Sequence, residues 1–238
     1  VVKKILIMKT GSTLPSLLAK NEDFEDWFIN GSGQEASKFT VCSIHLQEQL
    51  PALREISAII ITGSPAYLTD LEPWNETGAD YIRMAHASDI PMLGVCYGHQ
   101  LIAWAFGGKV GFHPQGREIG TVAIRKTADS DSDRLFRQLP REFCAQASHL
   151  QSVIDLPVEA VLLAANDFDP NHAFRLGKST WSVQFHPEFT AAVTAAYIEE
   201  RSVQIRSEGL DPEALQQNLQ ATPESAGLLK QFVELVSV

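Results

Sequence analysis

Residues 91–100 read PMLGVCYGHQ: a short apolar run that ends in a cysteine held between two glycines, with a helical pattern starting directly behind it. Gly94-Val95-Cys96-Tyr97-Gly98 is a G-x-C-x-G sequence, the tight strand-to-helix elbow that presents a nucleophile, with cysteine where serine often stands. A strand that feeds straight into a helix is also the repeating unit of a parallel sheet, so neighbouring segments should repeat it.

They do. "KILIM" (4–8), "FTVCSIH" (39–45) and "SAIIIT" (57–62) are apolar runs of the kind buried on both faces of a parallel sheet. Between them, "LPSLLAKNEDFEDWFIN" (14–30) and "GADYIRMAHAS" (78–88) carry apolar residues at helical spacing. After residue 107 the order changes to "GKVGFHP" (108–114), "EIGTVAIR" (118–125), "EFCAQAS" (142–148), "AVLLAAN" (160–166), "HAFRLG" (172–177) and "TWSVQFHP" (180–187). These read as strands, with one helical signal around 131–139, and imply antiparallel additions before the chain returns to the main sheet. From 190 onward the pattern is helical, and Thr222-Pro223 offers an N-cap followed by proline at the first helical position. The fold class expected is α/β: a doubly wound, mostly parallel open sheet (flavodoxin-like) with added antiparallel strands and a helical C-terminal tail. Residues 1–238 are expected to form one domain, with the tail over about 190–238.

Composition narrows the function. Hydrophobic residues make up 45% of the 238, a globular balance. No apolar run approaches the roughly 18 residues that cross a bilayer. The start "VVKKILIMKTG" has the lysines of a signal peptide but too short a run and no small-residue cleavage site, so it reads as a first strand. A net charge of −10 repels phosphate backbones, so neither nucleic acid nor membrane is expected as a partner. Three widely spaced cysteines give neither a disulfide framework nor a zinc pattern, and a cytoplasmic chain without metal or cofactor is expected. "HAFRLGKST" ends like a phosphate-binding loop but has His172 where the first glycine is required.

Cys96 at a helix N-terminus gains thiolate character from the dipole and the free amides. Cys42 and Cys144 lie in strand-like runs without glycines and read as buried core cysteines. A thiolate nucleophile needs a base, and the base an orienting group. "QFHPE" (184–188) supplies His186, a rigid proline, and Glu188. His113 is also followed by proline, but Gln115 stands where the carboxylate would be; His45, His86, His113 and His172 read as structural or surface histidines. "TGSP" (62–65) ends a strand in Gly63, whose amide, with that of Tyr97, could form an oxyanion hole.

"GVCYGHQ", "QFHPE" and the upstream "TGSP", in this order, resemble the class I glutamine amidotransferase domain, the glutaminase half of enzymes such as GMP synthetase. The resemblance runs over about residues 1–189 and includes "REIGTVAI" (117–124) and "SHLQSV" (148–153). It implies that Cys96 attacks the side-chain amide of glutamine, that His186 moves the proton, and that Glu188 orients it. A γ-glutamyl thioester forms, ammonia leaves, and water releases glutamate. By position Gly63 and Tyr97 match the oxyanion donors, Gln100 a glutamine-binding residue, and Ser148, His149, Leu150 and Gln151 the pocket wall. Leu150 and Gln151 replace the Gly-Asp usual in GMP synthetases, which leaves another γ-glutamyl substrate open. The implied partner is a separate synthetase chain that accepts ammonia. Two alternatives stand beside this reading: a γ-glutamyl peptide hydrolase with the same three residues, and a non-catalytic regulatory or binding subunit.

Overall fold

The computed structural model describes residues 3–236. Eleven strands and eight α-helices follow in chain order: β1 (Lys4–Lys9), α1 (Pro15–Leu18), α2 (Phe24–Ser32), β2 (Phe39–Ser43), β3 (Ile56–Ile61), α3 (Pro73–Ala87), β4 (Met92–Val95) and α4 (Tyr97–Ala105). Then come β5 (Lys109–Phe112), β6 (Glu118–Lys126), β7 (Glu142–His149), β8 (Gln151–Asp155), β9 (Val161–Ala165), β10 (Ala173–Leu176) and β11 (Thr180–Val183). The tail holds α5 (Ala191–Glu200), α6 (Ser202–Ser207), α7 (Pro212–Gln217) and α8 (Pro223–Val236).

Nine strands form one sheet in the order β2-β1-β3-β4-β11-β10-β9-β6-β7. The first five run parallel, and the rest are joined antiparallel from β11 outward. Strand periodicity shows why this sheet is covered on both sides. In β1, Ile5 and Ile7 join one apolar cluster while Leu6 and Met8 join the other. In β3, Ala58 and Ile60 divide from Ile59 and Ile61 in the same way. Side chains alternate across a strand, so a continuous apolar run must be buried twice. The α2 and α8 residues Phe28, Leu229 and Phe232 complete the first cluster, and the α3 and α4 residues Ile82, Leu101 and Ile102 the second.

The chain departs from its sequence pattern at five places. The apolar stretch 14–30 is two helices, because Asn21 turns with φ 58° and Asp23 starts α2 with a capping box closed by Asp26. The helix expected around 131–139 is instead a short 3-10 turn, Ala128–Asp131, followed by turns. There the Asp133 carboxylate accepts from the amides of Leu135 and Phe136 and from Trp181 Nε1, competing with helical pairing. The run 108–114 does not join the main sheet: β5 pairs antiparallel with β8 in a separate two-stranded sheet. Strand β2 ends at Ser43, two residues short, in a 3-10 turn. Cys144 is half-buried, where a fully buried residue was expected. Val1 and Val2, at the head of the first run, lie outside the described residues. Among the described residues no helix is long and apolar enough to cross a membrane.

The start of α4 is packed onto β3 with no spare room. A Cβ on Gly98 would sit 2.5 Å from the Ile61 carbonyl oxygen, and one on Gly94 would sit 2.6 Å from the Gly98 carbonyl oxygen. Gly98→Ala should therefore cost roughly 3 kcal/mol, the upper end of ordinary overpacking, because backbone and not a flexible side chain blocks the methyl. Urea unfolding checks this; an unchanged midpoint would mean that β3 and α4 do not meet so closely.

Candidate active site

Parallel sheets place ligand sites beyond the carboxyl ends of their strands, beside the point where strand order reverses. Here β1 has β2 on one side and β3 on the other, and the carboxyl ends of β1, β3 and β4 open on one cavity of about 310 Å³. Cys96 occupies the bend between β4 and α4 with φ 52° and ψ −100°. A side-chain-bearing residue at positive φ costs on the order of 1–3 kcal/mol, so the surroundings must impose it. They do so through the Cys96 amide, bound to the Val183 carbonyl at 2.8 Å, and the Gly98 amide, bound to Thr62 at 3.2 Å. The close approach at Gly94 and Gly98 explains both flanking glycines.

His186 follows β11, tied by its amide to the Gln146 carbonyl at 2.8 Å. Its Nδ1 faces Glu188 Oε1 at 2.7 Å, and Phe189 stacks on the imidazole with centroids 3.9 Å apart. Phe24 and Trp27 of α2 pack against Phe189 in turn, so the ring is held by a carboxylate at one edge and an aromatic wall on one face. Gly63 closes the group: a Cβ there would lie 3.1 Å from His186 Cε1 and 3.7 Å from Cys96 Cβ. The Thr62 carbonyl accepts from Gly98 and from Thr10 Oγ1, which fixes the peptide whose other side is the Gly63 N–H. Among the described residues, neither the Gly63 nor the Tyr97 amide donates to a protein acceptor.

Burial opposes a thiolate at Cys96, but the charge of the nearby His186 outweighs it, and the thiol is held below its ordinary range. Burial likewise opposes an imidazolium at His186, yet the Glu188 carboxylate and Cys96 lift it well above the ordinary imidazole range. Each group favours the charged form of the other, so the two shifts belong to the pair.

Of the residues expected to hold substrate, all five line the cavity or its wall, in different ways. Ser148 brings its carbonyl oxygen 4.0 Å from Cys96 Sγ. Gln100 is clamped from its Nε2 to the Gln151 carbonyl at 2.8 Å. Leu150 is partly exposed at the wall. The Gln151 side chain is spent on the 68–69 turn, accepting from the Leu68 amide at 3.1 Å and donating to Thr69 Oγ1 at 2.6 Å. His149 faces Glu118 Oε2 from Nε2 at 2.8 Å, and the Gln151 carbonyl and Ser152 Oγ from Nδ1 at 3.1 and 3.3 Å. Burial works against a charge on this ring, but the hydrogen bond to Glu118 and its charge raise the pKa. His149 adds to the field that favours the Cys96 thiolate.

Glu118, His149 and His172 bring ligand-type atoms within 4.8 Å of one another. Both imidazole Nε2 atoms aim at the same Glu118 oxygen at 2.8 Å. At that distance the one carboxylate oxygen ties both rings together behind the cavity wall.

Sequence reasoning missed the contribution of the tail. Tyr197 of α5, Arg201 at the junction of α5 with α6, and Gln204 of α6 line the cavity beside Arg117. A helical arginine reads as a solvated surface residue, and only the docking of the tail onto β6 and β7 brings these groups to Cys96. Arg117 is paired with Glu208 through two bonds of 2.7 and 2.9 Å, a bidentate clamp that fastens the tail to the head of β6.

Residues 23–205 match the family model described as glutamine amidotransferase class-I. The chain is 36% identical over 142 residues to a glutamine-hydrolyzing GMP synthase subunit of Methanocaldococcus jannaschii, covering 59% of this chain and 69% of that one. It is 35% identical over 137 residues to the protein of the same name from Archaeoglobus fulgidus, covering 57% and 68%. A glutamine amidotransferase of Thermotoga maritima superposes with a TM-score of 0.78 over 99% of both chains at 22% identity, a likeness of fold.

Proposed function

This chain belongs to the class-I glutamine amidotransferase family, and on that premise we propose that it hydrolyses the γ-amide of glutamine by covalent catalysis at Cys96. The observation that carries this reading is the meeting of Cys96, Tyr97 and His186 at one cavity, with Glu188 on the imidazole and Gly63 beside both Cys96 and His186. The thiolate adds to the amide carbon, and the amide oxygen takes the negative charge within reach of the Gly63 and Tyr97 N–H groups. The His186 imidazolium gives its proton to the nitrogen, the C–N bond breaks, and ammonia leaves behind a γ-glutamyl thioester. Water then adds to the thioester as His186 takes a proton from it; the C–S bond breaks, and glutamate and the starting ion pair are released. The summed reaction is glutamine and water to glutamate and ammonia. Glu188 holds the imidazole in place and keeps it charged until the nitrogen needs the proton. The archaeal relatives are named as subunits, and we propose that the ammonia made here likewise passes to a separate synthetase chain.

Glutamate release by the purified chain, from glutamine and in parallel from γ-glutamyl dipeptides and glutathione, tests this reading. Release from glutamine that exceeds release from the peptides is expected. Release from the peptides alone would make the chain a γ-glutamyl peptide hydrolase, with Leu150 and Gln151 the first residues to examine.

The ion pair sets the pH dependence. Activity should rise with pH as the Cys96 thiol ionises, below the usual thiol range, and fall as His186 loses its proton, above the usual imidazole range. Glu188→Gln removes the carboxylate that favours imidazolium, so the alkaline limb should move to lower pH, with a rate loss smaller than that of removing His186. A kcat/KM profile for Glu188→Gln that overlays the wild type would make Glu188 a packing residue only.

A further inference from the structure

Arg201 has no role in the mechanism above, yet its guanidinium stands at the cavity that contains Cys96. Arg206 of the tail pairs with Glu213, Lys230 with Glu234, and the neighbouring Arg117 with Glu208, whereas among the described residues no acidic group lies within salt-bridge distance of Arg201. Its contacts are weak or neutral. Nη1 donates to Ser148 Oγ at 3.4 Å, and the guanidinium carbon lies over the Tyr197 ring at 5.0 Å. Tyr197 is itself fixed by a 2.8 Å hydrogen bond to Thr13 Oγ1, so the platform beneath the arginine is rigid. Burial pushes the Arg201 pKa below its ordinary range, the sign of a charge that lacks compensation. A guanidinium kept half out of water without a counter-ion is expensive, and protein sites keep such a group where an anion completes it.

The position selects which anion. Ser148 touches both groups, its carbonyl oxygen 4.0 Å from Cys96 Sγ and its hydroxyl 3.4 Å from Arg201 Nη1. Sulfur and guanidinium are therefore separated by about the breadth of one residue. In a γ-glutamyl group the amide carbon and the α-carboxylate are joined through three methylene or methine carbons, roughly 5 Å apart at bond lengths near 1.5 Å. A substrate whose amide carbon meets Cys96 can thus bring its α-carboxylate to Arg201. The lining residues include no Asp or Glu among the described residues, so the cavity is built for the carboxylate end of an amino acid.

We propose that Arg201 binds the α-carboxylate of the γ-glutamyl substrate and sets the specificity of the site for it. This deepens the glutaminase reading and rests on it. The helical tail thereby becomes part of the substrate site: α5 carries the Tyr197 platform, and the junction of α5 with α6 carries the anchor.

The test separates binding from turnover. Binding of glutamine and of its α-carboxamide analogue is measured by calorimetry on Cys96→Ala and on Cys96→Ala with Arg201→Met, Lys or Ala. Steady-state kinetics of Arg201→Met and Arg201→Lys on both compounds run alongside. Glutamine should bind the Arg201→Met protein roughly 30-fold more weakly, the scale of a lost charge-assisted hydrogen bond. The analogue should bind both proteins with the same low affinity, so the preference for glutamine collapses. In turnover the loss should fall on KM with kcat changed far less, and Arg201→Lys, which keeps the charge without the fork, should recover part of it. Equal preference for glutamine over its analogue in the parent and Arg201→Met proteins would overturn the proposal, as would failure of Cys96→Ala to bind glutamine. The glutaminase reading fails on a different result, absence of thiol-dependent turnover in the wild type, so the two can be told apart.

Discussion

Cys96→Ala should lower kcat for glutamine by on the order of 10⁶, to the background of water and bound substrate, because among the described residues no second nucleophile lines the cavity in a comparable setting. Cys42 is buried in β2, where burial and Glu48 push its thiol up to about 11, the opposite of activation. Cys144 is half-buried in β7 and holds a hydrogen bond from Gln220 Nε2 at 3.3 Å. Neither thiol lines the cavity. The fold should survive the change, since alanine removes one sulfur and leaves the backbone bonds of the elbow in place. Glutamine should still bind. Residual hydrolysis within about a hundredfold of the wild type, in a variant whose unfolding midpoint is unchanged, would remove Cys96 from the mechanism.

The second large effect is expected at His186. His186→Ala should cost roughly 10⁴–10⁶ in kcat, because two functions disappear together. The leaving nitrogen loses its proton donor, and the thiolate loses the cation that offsets its burial. The second loss can be read without turnover: the Cys96 thiol should titrate at higher pH in this variant, seen as slower alkylation near neutrality. His149 remains as a weaker source of positive charge, so the shift should be partial. Loss of turnover with an unchanged alkylation profile would place His186 in proton transfer alone and contradict the ion pair.

Much of this arrangement was legible because its parts are local in sequence. Gly94, Cys96 and Gly98 announce an elbow because two glycines flank one cysteine within five residues, and a Cβ on Gly94 or Gly98 would meet a backbone oxygen at 2.5–2.6 Å. His186 and Glu188 are two residues apart, so a single proline-stiffened corner sets their hydrogen bond. The parallel half of the sheet was readable from apolar runs buried on two faces. Where side chains overrule periodicity, the pattern misled: Asp23 capped a new helix inside 14–30, and Asp133 turned a helical signal into a set of turns. What lay outside reach was everything made by tertiary approach. Glu118 reads as an ordinary strand residue until His149 and His172, 31 and 54 positions away, close on the same oxygen. Arg201 reads as a surface residue until the tail folds back over Ser148.

The central claim, that Cys96 is the group that attacks the γ-carbon, is tested most directly by affinity labelling. A glutamine analogue in which a diazomethyl ketone replaces the amide is incubated with the chain, and the labelled peptide is located by mass spectrometry while turnover is followed. The account predicts one label per chain on Cys96, loss of glutaminase activity in step with labelling, protection by glutamine, and no label on Cys96→Ala. Activity that persists after complete labelling of Cys96, or inactivation with the label on another residue, would contradict it.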